Sequence, residues 1–143
     1  MTRRLLSLVV VPLAAFVLAA CGGSVSDEYV IEEQPYTLEP IEGQDVLRVT
    51  LTESAVERVG IETAVVEERG SKLVVPYDAV FIDAHGDVWV YTNPEPQVFI
   101  RAPIEVDRET STEAVLSDGP PAGTEVVTVG VPELYGSETE FGT

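Results

Sequence analysis

Val75–Asn93, VPYDAVFIDAHGDVWVYTN, is the stretch that decides the fold. Two β-rich runs, VPYDAVFIDA and DVWVYTN, flank His85-Gly86, and between them they hold the only histidine and the only tryptophan of the chain. β-branched and aromatic residues on either side of a polar, glycine-containing tip predict a hairpin. With His85 and Gly86 as the two central turn residues, Ile82 is expected to face Trp89 and Val80 to face Tyr91. Phe81 is then expected to face Val90 on the other side. Gly86 accepts positive φ at no steric cost, and histidine tolerates that region better than most residues. Asp83, His85 and Asp87 could bind a metal weakly or move a proton, but a tight turn calls for such residues anyway. His85, Gly86, Ile82 and Trp89 are therefore read as a structural hairpin, with no catalytic residue and no metal ligand assigned.

Working outward, VLRVTLT alternates and reads as a strand. Thr52 is placed to cap a short helix, ESAVERV, with Gly60 at its left-handed end. IETAVVEE and KLVVP read as further strands. PQVFIRAPIEVD alternates cleanly: Val98, Ile100, Ala102, Ile104 and Val106 share one face, and Phe99, Arg101, Pro103, Glu105 and Asp107 the other. Pro103 cannot donate to a ladder, which places an edge or a bulge there. TEAVLS and GTEVVTVG complete the set around the turn segment DGPPAG. Short strands with turns between them predict an all-β fold, a small antiparallel barrel or sandwich with one short helix. The expected segments are a strand–helix–strand unit over 46–74, a β-domain over 75–136 and a tail over 137–143.

Upstream, Arg3 and Arg4 precede an uncharged apolar run from Leu5 to Ala20, which ends in Leu18-Ala19-Ala20-Cys21. A basic start, a short apolar run and small residues at the cut describe a secretory signal over 1–20. The last four residues resemble the bacterial lipobox, which implies cleavage between Ala20 and Cys21 and a diacylglyceryl group on Cys21. The other reading is an uncleaved anchor with an incidental cysteine. Acyl chains anchor a protein to a bilayer without spanning it, so the expected location is the outer face of the cytoplasmic membrane. The covalent lipid is the only non-protein group expected. Residues 21–45 are acidic, with two prolines and three glycines after Cys21, and read as a flexible tether of about 27 Å r.m.s..

Loss of Arg3 and Arg4 takes the eight basic residues to six against 25 acidic ones, so the net charge moves from −17 to −19. Such a surface repels nucleic acid and anionic headgroups. The sequence has no glycine-rich phosphate loop, no HExxH, no GxSxG and no second histidine, so enzyme is the disfavoured class.

Taken in order, Val75-Pro76, Ala79-Val80, Gly86, Val88-Trp89-Val90, FIRAPIEV, EAVLSDG, Gly123, Val126-Val127, Gly130 and Leu134 form a recognisable series. It resembles the membrane-proximal domain of the periplasmic adaptor (membrane fusion) proteins of tripartite efflux pumps, the hemolysin-D-like family. VTLTESAVERVGIETAVVE is similar to the segment with which many such adaptors begin their folded portion. The likeness spans about Leu47 to Tyr135. Pro120 stands where the family has leucine after glycine, and Thr124 where it has aspartate. The lipoyl domain, the α-helical hairpin and most of a β-barrel, which the family inserts between GIETAVVE and LVVP, have no room here. Copper-handling relatives use methionine ligands, and Met1 is the only methionine. The resemblance implies a lipid-anchored, adaptor-like subunit with a membrane transporter as partner and membrane lipid held through Cys21. A stand-alone cell-envelope ligand-binding lipoprotein is the alternative.

Overall fold

The computed structural model describes residues 34–140. Ala20, Cys21, the expected signal and the tether up to residue 33 lie outside the described residues. Tyr36 and Leu38 alternate with Thr37 and Glu39, and this pattern forms β1 (Tyr36–Pro40). β1 pairs antiparallel along its whole length with β2 (Leu47–Leu51). The distal part of the expected tether is therefore a strand, because Tyr36 and Leu38 find an apolar seat against the core.

Thr52 then starts α1 (Glu53–Val59), its hydroxyl accepting from the Ala55 N–H at 3.2 Å, and Gly60 ends it at φ 71°. Both ends lie where the sequence puts them. IETAVVEE is not one strand but two, β3 (Glu62–Val65) and β4 (Glu67–Arg69). β5 (Lys72–Pro76), a 3-10 turn at Tyr77–Ala79, β6 (Phe81–Ile82) and β7 (Val88–Glu95) follow. PQVFIRAPIEVD also divides, into β8 (Val98–Pro103) and β9 (Glu105–Glu109). β10 (Glu113–Asp118), β11 (Glu125–Val129) and α2 (Val131–Thr139) close the described chain.

The strands form two antiparallel sheets. The larger runs β1-β2-β8-β7-β11-β3 with β6 beside β7, and the smaller runs β4-β5-β10-β9. Neither closes on itself, so the all-β expectation holds as a sandwich and not as a barrel. The two divided strands are its corners: β3 and β8 belong to the larger sheet, β4 and β9 to the smaller. At the second corner Pro103 has no N–H to give, and the Ile104 N–H donates instead to the Val88 carbonyl. β3 pairs with β11 and β5 with β10. The expected boundary between residues 74 and 75 thus disappears, since each side supplies strands to both sheets.

Both faces of the larger sheet are covered. Val90, Val126, Ile104 and Ala114 belong to a core between the sheets. Tyr91, Val127, Phe99 and Val49 point the other way, into a second core with Ala55 of α1 and Val131 and Leu134 of α2. This explains why the apolar run VWVY does not alternate with polar residues. It also covers the face of β8 that carries Phe99 and Arg101, so that Phe99 is fully buried and Arg101 lies under α2. α2 replaces part of the expected tail and is a second helix where one was expected. Among the described residues no helix is long and apolar enough to cross a membrane.

The hairpin differs by one residue from its expected register. Phe81 pairs with Trp89 and Ile82 with Val88. Asp83 starts the turn: the Gly86 N–H donates to its carbonyl at 3.1 Å, and the Asp83 N–H donates to the Asp87 carbonyl at 3.0 Å. Asp at the first position of a type I turn, followed by glycine in the left-handed region, makes a three-residue loop with a bulge. Gly86, at φ 91°, supplies that conformation, and His85 does not adopt it. A one-residue shift exchanges the two faces of a strand. Phe81 therefore enters the helix-side core, while Ile82 is 66% exposed and does not pack across from Trp89.

Candidate functional site

The same turn builds one wall of a charged cleft. Asp83 Oδ1 accepts from the N–H groups of His85 (2.9 Å) and Asp87 (3.0 Å), and Oδ2 accepts from Trp89 Nε1 at 3.1 Å. Burial pushes the Asp83 carboxyl up, but those three donors and the nearby His85 together hold it below the usual carboxylate range. Its side chain is only 5% exposed. Trp89 is thus a packing residue with its polar end satisfied by the turn it follows.

Arg101 enters from β8, directly opposite Tyr91 of β7. Its guanidinium carbon sits 4.5 Å from the Trp89 ring centroid, a cation–π stack. Nη1 lies 3.6 Å from Asp83 Oδ2, and Nε lies 3.0 Å from Glu138 Oε1, a charge contact without an aligned hydrogen bond. Nη2 donates to the Asp45 carbonyl at 3.4 Å.

Glu138 comes from α2 and is 3% exposed. Its Oε2 accepts from the Tyr91 hydroxyl at 2.5 Å, and its Oε1 accepts from the Leu47 N–H at 3.3 Å. Burial, and then the Glu138 carboxylate, push the Tyr91 hydroxyl far above its usual range, so Tyr91 is a fixed donor here and not an acid. One turn earlier, the Tyr135 hydroxyl accepts from the Ala84 N–H at 3.2 Å while its ring packs on Phe81 at 5.4 Å. Phe81 in turn stacks on Tyr91, with centroids 5.1 Å apart.

Four parts of the fold therefore meet: the entry to β2, the β6–β7 turn, β8 and α2. They enclose an open cleft of about 530 Å³ whose lining includes Asp45, His85, Arg101, Tyr135 and Glu138. His85 stands at the rim, 85% exposed, with Nδ1 3.8 Å from Asp83 Oδ2. The buried carboxylates are committed to partners inside the protein. Arg101 and the Tyr135 hydroxyl have partners of their own, so the exposed His85 ring is the polar group of the lining with most freedom to meet a small polar group. Among the described residues no cluster of three or more His, Cys, Asp or Glu is placed to hold a metal ion.

A second arginine cluster lies on the smaller sheet. Arg69 donates to Glu67 (2.7 Å) and to both oxygens of Glu113 (2.8 and 2.9 Å) in the open. The Arg69 hydrogen bonds hold the Glu113 carboxyl below its usual range.

Of the residues singled out in the sequence, His85 and Gly86 lie in the turn, Trp89 follows it in β7, and Ile82 precedes it in β6 facing solvent. The sequence reading misses Arg101, Tyr91, Tyr135 and Glu138. A signal for the last two is present: Val131, Leu134, Tyr135 and Glu138 recur at helical spacing, which places a carboxylate on an apolar stripe. Comparison of the chain with protein-family models, with curated proteins and with solved structures gives no match.

Proposed function

We propose that this protein is a lipid-anchored extracytoplasmic subunit, adaptor-like but reduced, that docks on an inner-membrane transporter of the efflux or ABC type. The observation that carries this reading is the order of motifs from Val75-Pro76 to Gly130, behind an N-terminal Leu18-Ala19-Ala20-Cys21. The lipid on Cys21 holds the protein at the outer face of the membrane, and the acidic residues after it set its reach. Its work is binding, with no catalytic residue and no cofactor beyond the lipid. Six basic residues against 25 acidic ones once Arg3 and Arg4 are removed, a net charge of −19, favour basic loops on the partner's outer surface.

Cys21→Ser is expected to move the protein from the membrane to the soluble fraction or the medium. Retention on membranes after a salt wash would sink the anchor. Affinity capture of the acylated protein from membranes is then expected to bring down a transporter permease, and capture without one would overturn the docking. The cleft around Arg101 favours a second reading, a stand-alone ligand-binding lipoprotein, and the same capture separates the two.

A further inference from the structure

α2 carries few of the local signals that make a nine-residue segment helical. Gly130 precedes it with no side-chain cap, Gly136 sits inside it, and no basic residue lies in its last turn. Glu138 and Glu140 instead place negative charge at its C-terminal end, where the helix dipole disfavours it. Pro132 and Glu133 at the start are its own favourable residues. Helices this short are marginal without tertiary support. Here that support is concentrated at a few points: Leu134 and Val131 in the core, Tyr135 on Phe81 and Ala84, and Glu138 on Tyr91, Arg101 and Leu47. Gly130, at φ 99° between β11 and α2, lies at the junction where a change of backbone angle would free the helix.

We propose that α2 is a hinged strap: it leaves the larger sheet as a unit, turning at Gly130 and unravelling, while the sandwich beneath stays folded. The contacts of Glu138 are its latch. Because α2 brings Tyr135, Glu138 and Thr139 to the cleft, the cleft exists only while the strap is closed. A group bound there holds the strap shut by mass action. This holds whether or not the protein docks on a transporter.

Amide hydrogen exchange on the full chain tests it. The α2 amides are expected to exchange on the order of tenfold or more faster than those of β7 and β8, as a local opening below global unfolding. Val75→Ala, a cavity in the core between the sheets, far from α2 contacts, should speed β7 and β8 by on the order of tenfold and leave α2 within about twofold. Gly136→Ala is free of close neighbours and should slow α2 exchange about fivefold by raising helix propensity. Equal protection of α2 and the central strands, with Val75→Ala speeding all of them together, would overturn the strap. So would α2 exchange that Gly136→Ala leaves unchanged.

Discussion

Ala55 of α1 and Leu134 of α2 enter the same core cluster, yet the two helices are held there by different means. α1 supplies its own ends: the Thr52 cap, Glu53 in the first turn, Arg58 in the last and Gly60 after it. Each of these satisfies a backbone group or complements the helix dipole. α2 has a carboxylate near its C-terminus that no local device compensates. That carboxylate is buried and is answered from elsewhere, by Arg101 of β8, Tyr91 of β7 and the Leu47 N–H of β2. A self-capped helix loses little when one distant contact is removed. A helix latched through a buried charge should fail when any partner of that charge is taken away.

Arg101→Met breaks the comparison most severely. It leaves Asp83 and Glu138 buried without their cation, a loss of about 3–5 kcal/mol in urea unfolding. Adding Glu138→Leu should restore part of it by removing one of the two uncompensated carboxylates, although Asp83 stays without its cation and Tyr91 and Leu47 lose their acceptor. If the double variant is no more stable than the single one, the latch is not electrostatic. Tyr91→Phe removes the hydroxyl facing Glu138 Oε2 and should cost about 1–3 kcal/mol, the penalty for a buried acceptor left without its donor. On the other helix, Thr52→Ala should cost about 1 kcal/mol and leave exchange in α2 unchanged. A Thr52→Ala loss as large as that of Tyr91→Phe would erase the distinction between the helices.

The same contrast sets what the sequence made legible. α1 could be placed to the residue because its signals are local and stand in chain order. The strands were legible as strands, since alternation and β-branching act within a few residues. Their division at Val66 and Ile104 was not, because a change of sheet leaves the periodicity of IETAVVEE and PQVFIRAPIEVD nearly intact. The hairpin register turned on one choice, two loop residues or three. Asp83 decides it through the hydrogen bonds its carboxylate accepts from the His85 and Asp87 N–H groups, which the pairing pattern does not encode. The cleft was hidden for a related reason. Arg101 alternates in sequence with Pro103, Glu105 and Asp107, and it is covered by Trp89 and Asp83 of the hairpin together with Glu138 of α2. α2 itself is interrupted by Gly136 and ends in acidic residues, so its pattern resembles a tail.

Asp83 offers the mildest and most local test of that difference. The donors around it hold its carboxyl below the ordinary range, so the unfolded chain takes up a proton there before the folded protein does. The stability it contributes is whole above the ordinary carboxylate value. It falls away as pH drops from about 3.9 toward the lower folded value. Protonation weakens its bonds to His85, Asp87 and Trp89, and with them the turn whose Ala84 N–H anchors Tyr135 of α2. α2 should therefore loosen on acidification before α1 does, since the contacts of α1 do not pass through this turn. Asp83→Asn removes the titrating group. Its unfolding free energy should fall less steeply than that of the parent between about pH 4 and pH 2. If the two slopes coincide over that interval, the depressed carboxyl of Asp83 contributes nothing to holding α2.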